Sequence, residues 1–306
     1  MPNFATPFAQ GYGGSRKASL DKHKPVLLHE SIENLNLKPG KIFLDGTLGG
    51  GGHSAEVLRR FERKVRIIGL DQDPRAVESA RELKIEAKKE NFRNLDKVLE
   101  KLGISSVDAI LFDLGISTDQ LENSGKGFSF LKNEPLDMRM SNEDIRAADI
   151  LNSWDEHAIE LILRGFGEEK FSRKIARVIV ERREVRPFQT TFELVEAILT
   201  VKPRSWRDKI HPATKTFQAL RIATNEELTN LEKGLEKGFC ALEPNGRLAV
   251  ISFHSLEDRI VKHFFRDKIK EKSARQVTRK PITPKSEEIQ ANPRSRSAKL
   301  RVVEKV

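Results

Sequence analysis

The stretch that decides the fold is Lys41-Ile42-Phe43-Leu44-Asp45-Gly46-Thr47-Leu48-Gly49-Gly50-Gly51-Gly52-His53-Ser54. An apolar run ends at Asp45, five glycines fall within residues 46–52, and apolar residues at helical spacing follow from Ala55. Glycine permits a positive φ in a turn and lets the backbone approach a ligand without a Cβ in the way. A strand, a glycine turn and a helix predict the opening unit of a nucleotide-binding α/β fold, and this context argues against a flexible glycine linker.

Two further predicted strands also end on an aspartate. The run at 65–70 stops at Asp71, and the run at 107–112 stops at Asp113. Helical patterns separate the strands, which predicts a parallel sheet whose ligand lies at the carboxyl ends of its strands. We therefore expect Asp45, Asp71 and Asp113 to ring one cleft.

The alternation of strands and helices stops after Ser117. Four helical patterns then follow without a strand, at 147–152, 156–165, 168–183 and 191–199, and predict an all-helical insertion between the fourth and fifth strands. A long helical stretch at 214–242 leads to a fifth strand at 246–253, and 298–303 has the pattern of an antiparallel edge strand. Helix 168–183 has a basic face that either binds a polyanion or is simply solvated. Its basic residues are Lys170, Arg173, Lys174, Arg177, Arg182 and Arg183.

Composition describes a charged globular protein of 306 residues with a formal net charge of +10, which favours a polyanionic partner such as nucleic acid. The single cysteine, Cys240, excludes an internal disulfide and argues against a cysteine metal site, and a reducing cytoplasm fits. No apolar run has the length of a membrane helix, and residues 1–21 are expected to form a mobile extension without a secretory signal.

The glycine turn is compatible with two ligands. A phosphate-binding P-loop is excluded because Gly51 is followed by Gly52 and His53, with no lysine. A dinucleotide would use Asp71 for its ribose hydroxyls, and S-adenosylmethionine needs the same acid together with a glycine turn beneath its methionine part. Calcium is excluded because Arg75 and Ala76 stand where an EF-hand loop needs Asp or Asn and then Gly, so no metal is expected.

A series of longer motifs resembles the bacterial RsmH (MraW) family of 16S rRNA (cytosine-N4)-methyltransferases over about residues 22–304. Besides the glycine turn, the motifs are Phe112-Asp113-Leu114-Gly115-Ile116-Ser117, Gly127-Phe128-Ser129-Phe130, Pro135-Leu136-Asp137-Met138-Arg139-Met140, Gly167-Glu168-Glu169, His211-Pro212-Ala213-Thr214-Lys215-Thr216-Phe217-Gln218-Ala219-Leu220-Arg221-Ile222, Ser252-Phe253-His254-Ser255-Leu256-Glu257-Asp258-Arg259 and Asn292-Pro293-Arg294-Ser295-Arg296-Ser297.

The resemblance implies an α/β fold, namely the Rossmann-like sheet of a class I S-adenosylmethionine-dependent methyltransferase with an inserted all-helical domain. The methyltransferase domain would comprise 22–122 and 214–306, and the helical substrate-recognition domain 123–213. The implied reaction transfers a methyl group from S-adenosylmethionine to N4 of a cytidine in the decoding region of 16S rRNA, on free RNA or on the small ribosomal subunit. No membrane partner is expected, and the oligomeric state is left open, a homodimer included.

The resemblance also implies site residues, matched by position. The implied cofactor-binding residues are Gly51, Gly52, His53, Asp71, Phe92, Asp113 and Gln120. The candidates for substrate binding are Arg139, Lys215, Arg221, His254, Arg294 and Arg296. This chain has Thr118-Asp119 where the family more often has Ser-Pro, and Lys215 where it usually has Arg, which loses a bidentate fork. Some of these residues have a structural alternative. Phe92 could belong to the core and His53 could merely begin a helix, while His211 and His254 could be structural hydrogen-bond partners.

The chemistry is restricted by residue types. Methylation at carbon 5 of cytosine needs a cysteine nucleophile, and Cys240 lies late in a predicted helix without a Pro-Cys motif. An exocyclic amine needs mainly positioning, with Asp113 as the candidate catalytic group. The alternatives are a nicotinamide-dependent Rossmann oxidoreductase and a non-catalytic RNA-binding module. A DNA cytosine-N4 methyltransferase would carry Pro-Pro-aromatic after the fourth strand, where this chain has Leu114-Gly115-Ile116.

Overall fold

The computed structural model describes residues 25–141, 144–206, 208 and 210–306, so the extension predicted at 1–21 lies outside the described residues. Its described strands form one sheet in the order β3–β2–β1–β4–β5–β7–β6. The strands are β1 (Ile42–Asp45), β2 (Arg66–Asp71), β3 (Glu86–Lys89), β4 (Val107–Asp113), β5 (Leu242–Ser252), β6 (Ala274–Gln276) and β7 (Lys299–Lys305).

Strands β1 to β5 are parallel, as the alternation of strands and helices predicts. Strand β7 is antiparallel to β5 on one side and to β6 on the other. The prediction of an antiparallel strand near 298–303 is therefore confirmed, but its placement at the edge of the sheet is wrong. The short strand β6 takes the edge position, and its three residues were too few to give a period-2 pattern.

The helices that flank the sheet and those of the inserted region follow one another along the chain. They are α1 (Leu28–Asn34), α2 (Gly52–Arg60), α3 (Pro74–Glu82), α4 (Leu95–Lys101), α5 (Thr118–Asn123), α6 (Ala147–Ser153), α7 (Glu156–Gly165), α8 (Ser172–Val185), α9 (Thr191–Val201), α10 (Thr214–Thr224), α11 (Glu227–Ala241), α12 (Ser255–Lys270) and α13 (Ser286–Ala291).

Two apolar cores cover the two faces of the sheet. Residues alternate along β4, so Ile110 and Phe112 enter one core while Ala109 and Leu111 enter the other. All four side chains are fully buried, as expected for a central parallel strand with helices on both faces. This double burial fixes the register of β4 and hence the position of Asp113 at its end.

A third core holds the helical region α6–α10 together. It includes one buried residue from each of four helices, namely Leu163 of α7, Ile175 of α8, Ile198 of α9 and Leu220 of α10. The long helical stretch predicted at 214–242 consists of two helices, because the chain turns at Glu226, which has a φ of 48°. This break moves α10 onto the helical region while α11 packs on the sheet.

Among the described residues, no helix combines the length and the apolar character that crossing a membrane requires.

Candidate active site

A cleft opens at the carboxyl ends of β1, β2 and β4, and the glycine turn after β1 forms its floor. Gly49 and Gly51 have φ values of 50° and 72°, which a side chain would strain. The Gly49 amide donates to Asp71 Oδ2 over 2.8 Å, and the Asp113 amide donates to the Thr47 hydroxyl over 2.5 Å. These two bonds tie the turn to the ends of β2 and β4.

Asp71 stands at the end of β2, on the rim of the cleft. Its Oδ1 accepts the amide of Asp73 over 2.8 Å while Oδ2 accepts that of Gly49. Burial raises the pKa of the Asp71 carboxyl, and the backbone N–H bonds oppose that shift. A carboxylate oxygen has room for a second hydrogen bond, so both oxygens can still accept hydroxyl groups from a ligand in the cleft.

Phe92 forms an aromatic wall of the cleft and packs against Phe112, with ring centroids 4.9 Å apart. Two glycines leave the space that this ring pair fills. A Cβ on Gly46 would lie 2.4 Å from the Phe112 ring, and a Cβ on Gly234 of α11 would lie 2.4 Å from the Phe92 ring. The position of the wall therefore depends on the absence of two side chains.

Asp113 is the most unusual group in the cleft. Its Oδ1 is shut off from solvent and has no hydrogen-bond partner. Burial raises the pKa of the Asp113 carboxyl well above its usual range, and the charges of Asp45 and Glu257 add to the shift. A buried oxygen without a partner is costly, which marks it as an acceptor for a ligand.

His53 lies beside Asp113 at the start of α2, buried, with Nδ1 3.7 Å from Asp113 Oδ2. Its Nε2 is 3.2 Å from the carbonyl oxygen of Val26, which can only accept a hydrogen bond. That contact places the proton on Nε2 and, in the neutral ring, leaves Nδ1 as a proton acceptor facing the carboxyl group.

Asp45 does not reach the cleft surface as expected, although it lies at the same strand edge. Its side chain is buried beneath the glycine turn, where Oδ2 accepts the Ser54 hydroxyl over 2.6 Å. Burial raises the pKa of Asp45 to about 6, and the charge of Asp71 contributes to that rise. Asp71 and Asp113 thus line the cleft, with Asp45 as the acid below them.

The wall opposite the glycine turn carries a second group of charges. Glu257 is buried and accepts the backbone amides of Phe253 and His254 through Oε2, over 2.8 and 3.2 Å. Arg221 is held by two bonds of 2.8 Å to Glu227, which also lines the cleft. These contacts fix the negative charge that faces Asp113.

The same group offers ligand atoms with metal-like spacing, because atoms of Glu227, His254 and Glu257 lie within 4.8 Å of one another. Two of the three side chains already have strong partners. Glu227 is paired bidentately with Arg221, and Glu257 accepts two backbone amides. We therefore assign this group to the placement of charge and not to a metal.

The remaining predicted cofactor residues take different positions. Gly52 and His53 line the cleft, whereas Gly51 lies in the turn behind them. Gln120 lines the cleft too, and its side chain accepts the Ser117 amide over 3.0 Å in a capping box at the start of α5. This cap orients Gln120, although the chain has Thr118-Asp119 where the family more often has Ser-Pro.

The predicted substrate residues are more dispersed. Arg294 lines the cleft and is paired with Glu122. Arg139 binds Asp137 through bonds of 2.8 and 2.9 Å, and the Lys215 ammonium donates to the Glu168 carbonyl over 2.7 Å. Arg221 and His254 stand behind Glu227 and Glu257, and Arg296 is exposed at the surface.

Sequence reasoning missed several residues of the cleft. Glu257 carried a signal, because His254 and Glu257 have the spacing of a capping box at a helix start. Asn225 carried none: its side chain binds the backbone of Met140 and Met138, over 2.7 and 2.8 Å, from the break between α10 and α11. A residue at a helix break without glycine or proline cannot be recognised from spacing.

The residues of the cleft fit S-adenosylmethionine. A side-chain-free turn leaves space for the methionine part, Asp71 offers acceptors for ribose hydroxyls, and Phe92 offers a face for adenine. The acidic surroundings of Asp113 suit a sulfonium cation, because a positive charge would offset the carboxylate repulsion. Strand order, glycine turn and acidic cleft together define a class I S-adenosylmethionine-dependent methyltransferase.

Comparison with known proteins agrees with this class. The sequence pattern of the MraW methylase family matches residues 21–306. Ribosomal RNA small subunit methyltransferase H of Clostridium botulinum (strain Kyoto / Type A2) is 45% identical over 306 residues, which cover 93% of this chain and 99% of the relative. The protein of that name from Heliobacterium mobile is 47% identical over 309 residues, with the same coverage. The chain belongs to the MraW methylase family.

Among solved structures, the crystal structure of an rRNA methylase from Streptococcus thermophilus is similar with a TM-score of 0.43 and 13% sequence identity. The match covers 91% of this chain and 96% of the other. Similarity at this level carries no conclusion about the site.

Proposed function

We propose that this protein transfers a methyl group from S-adenosylmethionine to the exocyclic N4 of a cytidine in the decoding region of 16S rRNA. Membership of the MraW methylase family supports the reaction, and the names of the relatives support a small-subunit rRNA substrate. The structural observation that carries the proposal is the buried, unpartnered Oδ1 of Asp113 in the cleft.

The cofactor is assigned to the residues that line or support the glycine-turn side of the cleft. Asp71 holds the ribose, Phe92 borders the adenine, and Gln120 closes the pocket from the start of α5. Gly51, Gly52 and His53 support the methionine end. The spacing of the turn and the bond between the Gly49 amide and Asp71 support this arrangement, since both hold the acid against the turn.

Asp113 is the candidate catalytic residue. S-adenosylmethionine supplies an electrophilic methyl group, and the protein must turn the N4 lone pair towards it. An acceptor for one N4–H bond would achieve this orientation, and Asp113 Oδ1 has no other partner. The raised pKa of Asp113 suits it to take a proton from the amine as the new bond forms, and His53 Nδ1 lies 3.7 Å away on the other oxygen.

The target base must leave its stack to reach Asp113, which costs a few kcal/mol. We assign the compensation to the RNA contacts of the helical region, proposed as a substrate-recognition domain over 123–213, and of Arg294 and Arg296. Arg139, Lys215, Arg221 and His254 stay predictions in this role. The methyltransferase domain is proposed to comprise 22–122 and 214–306, and a cytoplasmic location follows from the rRNA substrate.

The decisive experiment is mass mapping of 16S rRNA from cells that lack the protein. We expect one decoding-region cytidine to lose its N4 methyl group and to regain it when purified protein and S-adenosylmethionine are added. An oxidoreductase would bind a nicotinamide cofactor in calorimetry in place of S-adenosylmethionine, and a non-catalytic RNA-binding module would leave the methylation unchanged. Either result would reject the proposal.

The role of Asp113 is tested by Asp113→Ala in single turnover with saturating cofactor and RNA. We expect methyl transfer to slow by about 100-fold or more, because a positioned proton acceptor is lost. Asp108→Asn is the matched control, since Asp108 lies near the other end of β4 and binds Lys41 and the Ile42 amide. A normal rate in Asp113→Ala would limit Asp113 to cofactor binding.

A further inference from the structure

The carboxyl ends of β4 and β5 form the half of the cleft that the proposed cofactor contacts leave to a second ligand. The glycine turn, Asp71 and Phe92 follow β1, β2 and β3, which lie on one side of β4 in the sheet. On the other side of β4 lies β5, and the first residue after β5, Phe253, lines the same cleft. A ligand that reaches Asp113 from the β5 side therefore meets this aromatic side chain.

The register of the sheet places Phe253 close to Asp113. Asp113 pairs with Ile251 of β5, and the Leu114 amide donates to the Ile251 carbonyl over 3.0 Å. Neighbouring strands lie about 4.8 Å apart, so the backbone of Phe253 follows that of Asp113 at about one strand spacing. A planar ring bound beside Asp113 would therefore be within reach of the Phe253 side chain.

A glycine leaves space beside the Phe253 ring. Gly115 also lines the cleft and has a φ of 98°, a conformation that residues with a side chain rarely adopt. A Cβ on Gly115 would lie 3.6 Å from Phe253 Cδ2, in van der Waals contact, so a longer side chain would compete for the space along the ring. The glycine at this position keeps that space for a ligand.

Phe253 is held in place by its backbone and by the core. Its amide donates to Glu257 Oε2 over 2.8 Å, and its half-buried side chain packs against the core that contains Leu111 and Ile251. A ring that is fixed in advance loses little conformational entropy when a ligand stacks on it. The part of the side chain that faces the cleft can therefore act as a rigid wall.

The segment directly after β4 supplies no aromatic side chain, since it reads Leu114-Gly115-Ile116. An extruded base is nevertheless held between aromatic or apolar side chains in enzymes that modify bases. Among the described residues that line the cleft, the phenyl rings are those of Phe92 and Phe253. Phe92 packs on Phe112 and is assigned to the adenine, which leaves Phe253 for the target base.

We propose that Phe253 is the stacking wall for the flipped cytosine, whose N4 amine lies at Asp113. The inference deepens the proposed function and rests on it for the identity of the base. Stacking fixes the plane of the ring while Asp113 Oδ1 accepts one N4–H bond, and a wall on one face of the ring leaves the other face to the methyl group. Phe253 therefore orients the base and takes no part in proton transfer.

The first test compares two single-stranded RNA oligonucleotides that differ only at the target position, which is a cytidine in one and an abasic site in the other. With S-adenosylhomocysteine saturating, the ratio of their Kd values measures the contribution of the base. In Phe253→Leu we expect this ratio to fall about 5- to 100-fold, because a stacked base contributes that much binding. Phe253→Tyr keeps a ring and should keep most of the ratio. A ratio near one in wild type, or an unchanged ratio in Phe253→Leu, would overturn the proposal.

Phe61→Leu is the matched control for the loss of a ring. Phe61 ends α2 and packs against the same core as Phe253, but it is not among the described residues that line the cleft. Its ratio should equal that of wild type, and calorimetry with S-adenosylhomocysteine should give the same affinity for both Leu variants. Weaker binding of S-adenosylhomocysteine by Phe253→Leu with an unchanged ratio would assign Phe253 to the cofactor and reject the stacking wall.

The second test uses the wild-type protein, so it does not depend on how a variant folds. A 5-iodocytidine at the target position of the oligonucleotide crosslinks to a stacked aromatic side chain when it is irradiated in the near ultraviolet. We expect mass spectrometry to map the crosslink to Phe253. A crosslink to Phe92 or to a residue outside the cleft would overturn the proposal, as would a yield no higher than with the iodocytidine at a flanking position.

The two proposals fail separately. A wild-type protein with the expected ratio and crosslink that transfers no methyl group would reject the methyltransferase and keep the base site. In single turnover at saturating RNA and cofactor, Phe253→Leu should transfer the methyl group more slowly than wild type, because the base is less well oriented. Methyl transfer at the wild-type rate in this variant would keep the methyltransferase and reject the stacking wall.

Discussion

At the scale of single residues, the cleft contains carboxyl groups whose pKa values are shifted in opposite directions. Glu257 is kept ionised, because its hydrogen bonds and the Arg221 charge hold its pKa below the usual value. Asp113 is pushed towards its protonated form by burial and by neighbouring acids. Titratable groups whose environments drive their pKa values apart are typical of proton-transfer sites. A cation bound beside these carboxyl groups would relieve this opposition.

The free-energy cost of ionising a buried carboxyl group can be measured at Asp45 in the cofactor-free protein. The pKa of Asp45 rises from 3.8 to about 6 on folding, so the folded state binds its proton more tightly than the unfolded state does. Below about pH 4 the carboxyl group is protonated in both states. As pH rises through about 6, the folded protein has to ionise a buried group, and its unfolding free energy falls by roughly 3 kcal/mol.

The substitution Asp45→Asn should remove this dependence while keeping an oxygen for the Ser54 hydroxyl. We expect the variant to gain stability relative to wild type, by roughly 3 kcal/mol, between about pH 4 and pH 6.5. Urea denaturation at several pH values measures the difference. A constant difference across that range would show that Asp45 ionises as easily in the fold as in the unfolded chain.

At the scale of elements, α11 supports the cofactor wall through a residue that has no side chain. Gly234→Ala should stabilise the helix by about 1 kcal/mol through propensity alone. The new Cβ would lie 2.4 Å from the Phe92 ring, however, and overpacking costs about 1–3 kcal/mol. We therefore expect a net loss of stability of up to about 2 kcal/mol, with weaker binding of S-adenosylhomocysteine because Phe92 must move.

Gly165→Ala at the end of α7 is the control, because a Cβ there meets nothing within 4 Å. It should be neutral or stabilising by up to about 1 kcal/mol, with unchanged cofactor affinity. Denaturant unfolding and calorimetry with S-adenosylhomocysteine measure both quantities. The same outcome for Gly234→Ala would mean that Phe92 adapts without cost.

Elements also show which parts of the structure a sequence can predict. Strands β1, β2, β4 and β5 are apolar runs with clear ends, so their order and the acids at their ends were predictable. The break at Glu226 was not, because neither glycine nor proline marks it. The ion pairs of the basic residues were not predictable either. Arg139 pairs with Asp137 and Arg221 with Glu227, and these pairs are recognisable only in the folded chain.

At the scale of the whole molecule, the formal net charge of +10 is expected to raise the local concentration of RNA before any specific contact forms. Lys170, Arg173 and Lys174 are exposed around the start of α8. Arg183 of the predicted face donates to the carbonyls of Leu151 and Trp154, and Arg177 and Arg182 are paired with Glu156 and Glu196. Only part of that face is therefore available to phosphates.

The exposed basic residues predict that the affinity for RNA depends on salt concentration. Each phosphate contact to a single strand contributes about 0.7 to the slope of log Kd against log salt concentration. Replacing Lys170, Arg173 and Lys174 by Gln should lower that slope by about 2 and weaken binding at low salt. Filter binding or fluorescence anisotropy at several salt concentrations gives the slope.

The control for this prediction replaces three lysines at the opposite edge of the sheet by Gln. Lys38, Lys64 and Lys101 are exposed and precede the amino ends of β1, β2 and β4. The slope should change by less than about 0.5 in this variant. Equal effects of the two triple variants would mean that net charge acts without a defined contact surface.

The antiparallel strand β7 lies between β5 and β6, and β5 pairs with β4 only after the whole helical region has intervened along the chain. During synthesis β4 therefore emerges long before its neighbour, with one hydrogen-bonding edge unsatisfied. The helices of the insertion make mostly local contacts and can fold in that interval, whereas the sheet has to wait for distant sequence. The half-made protein thus carries an open strand edge that invites self-association, and rapid folding of the insertion beside it is a natural safeguard.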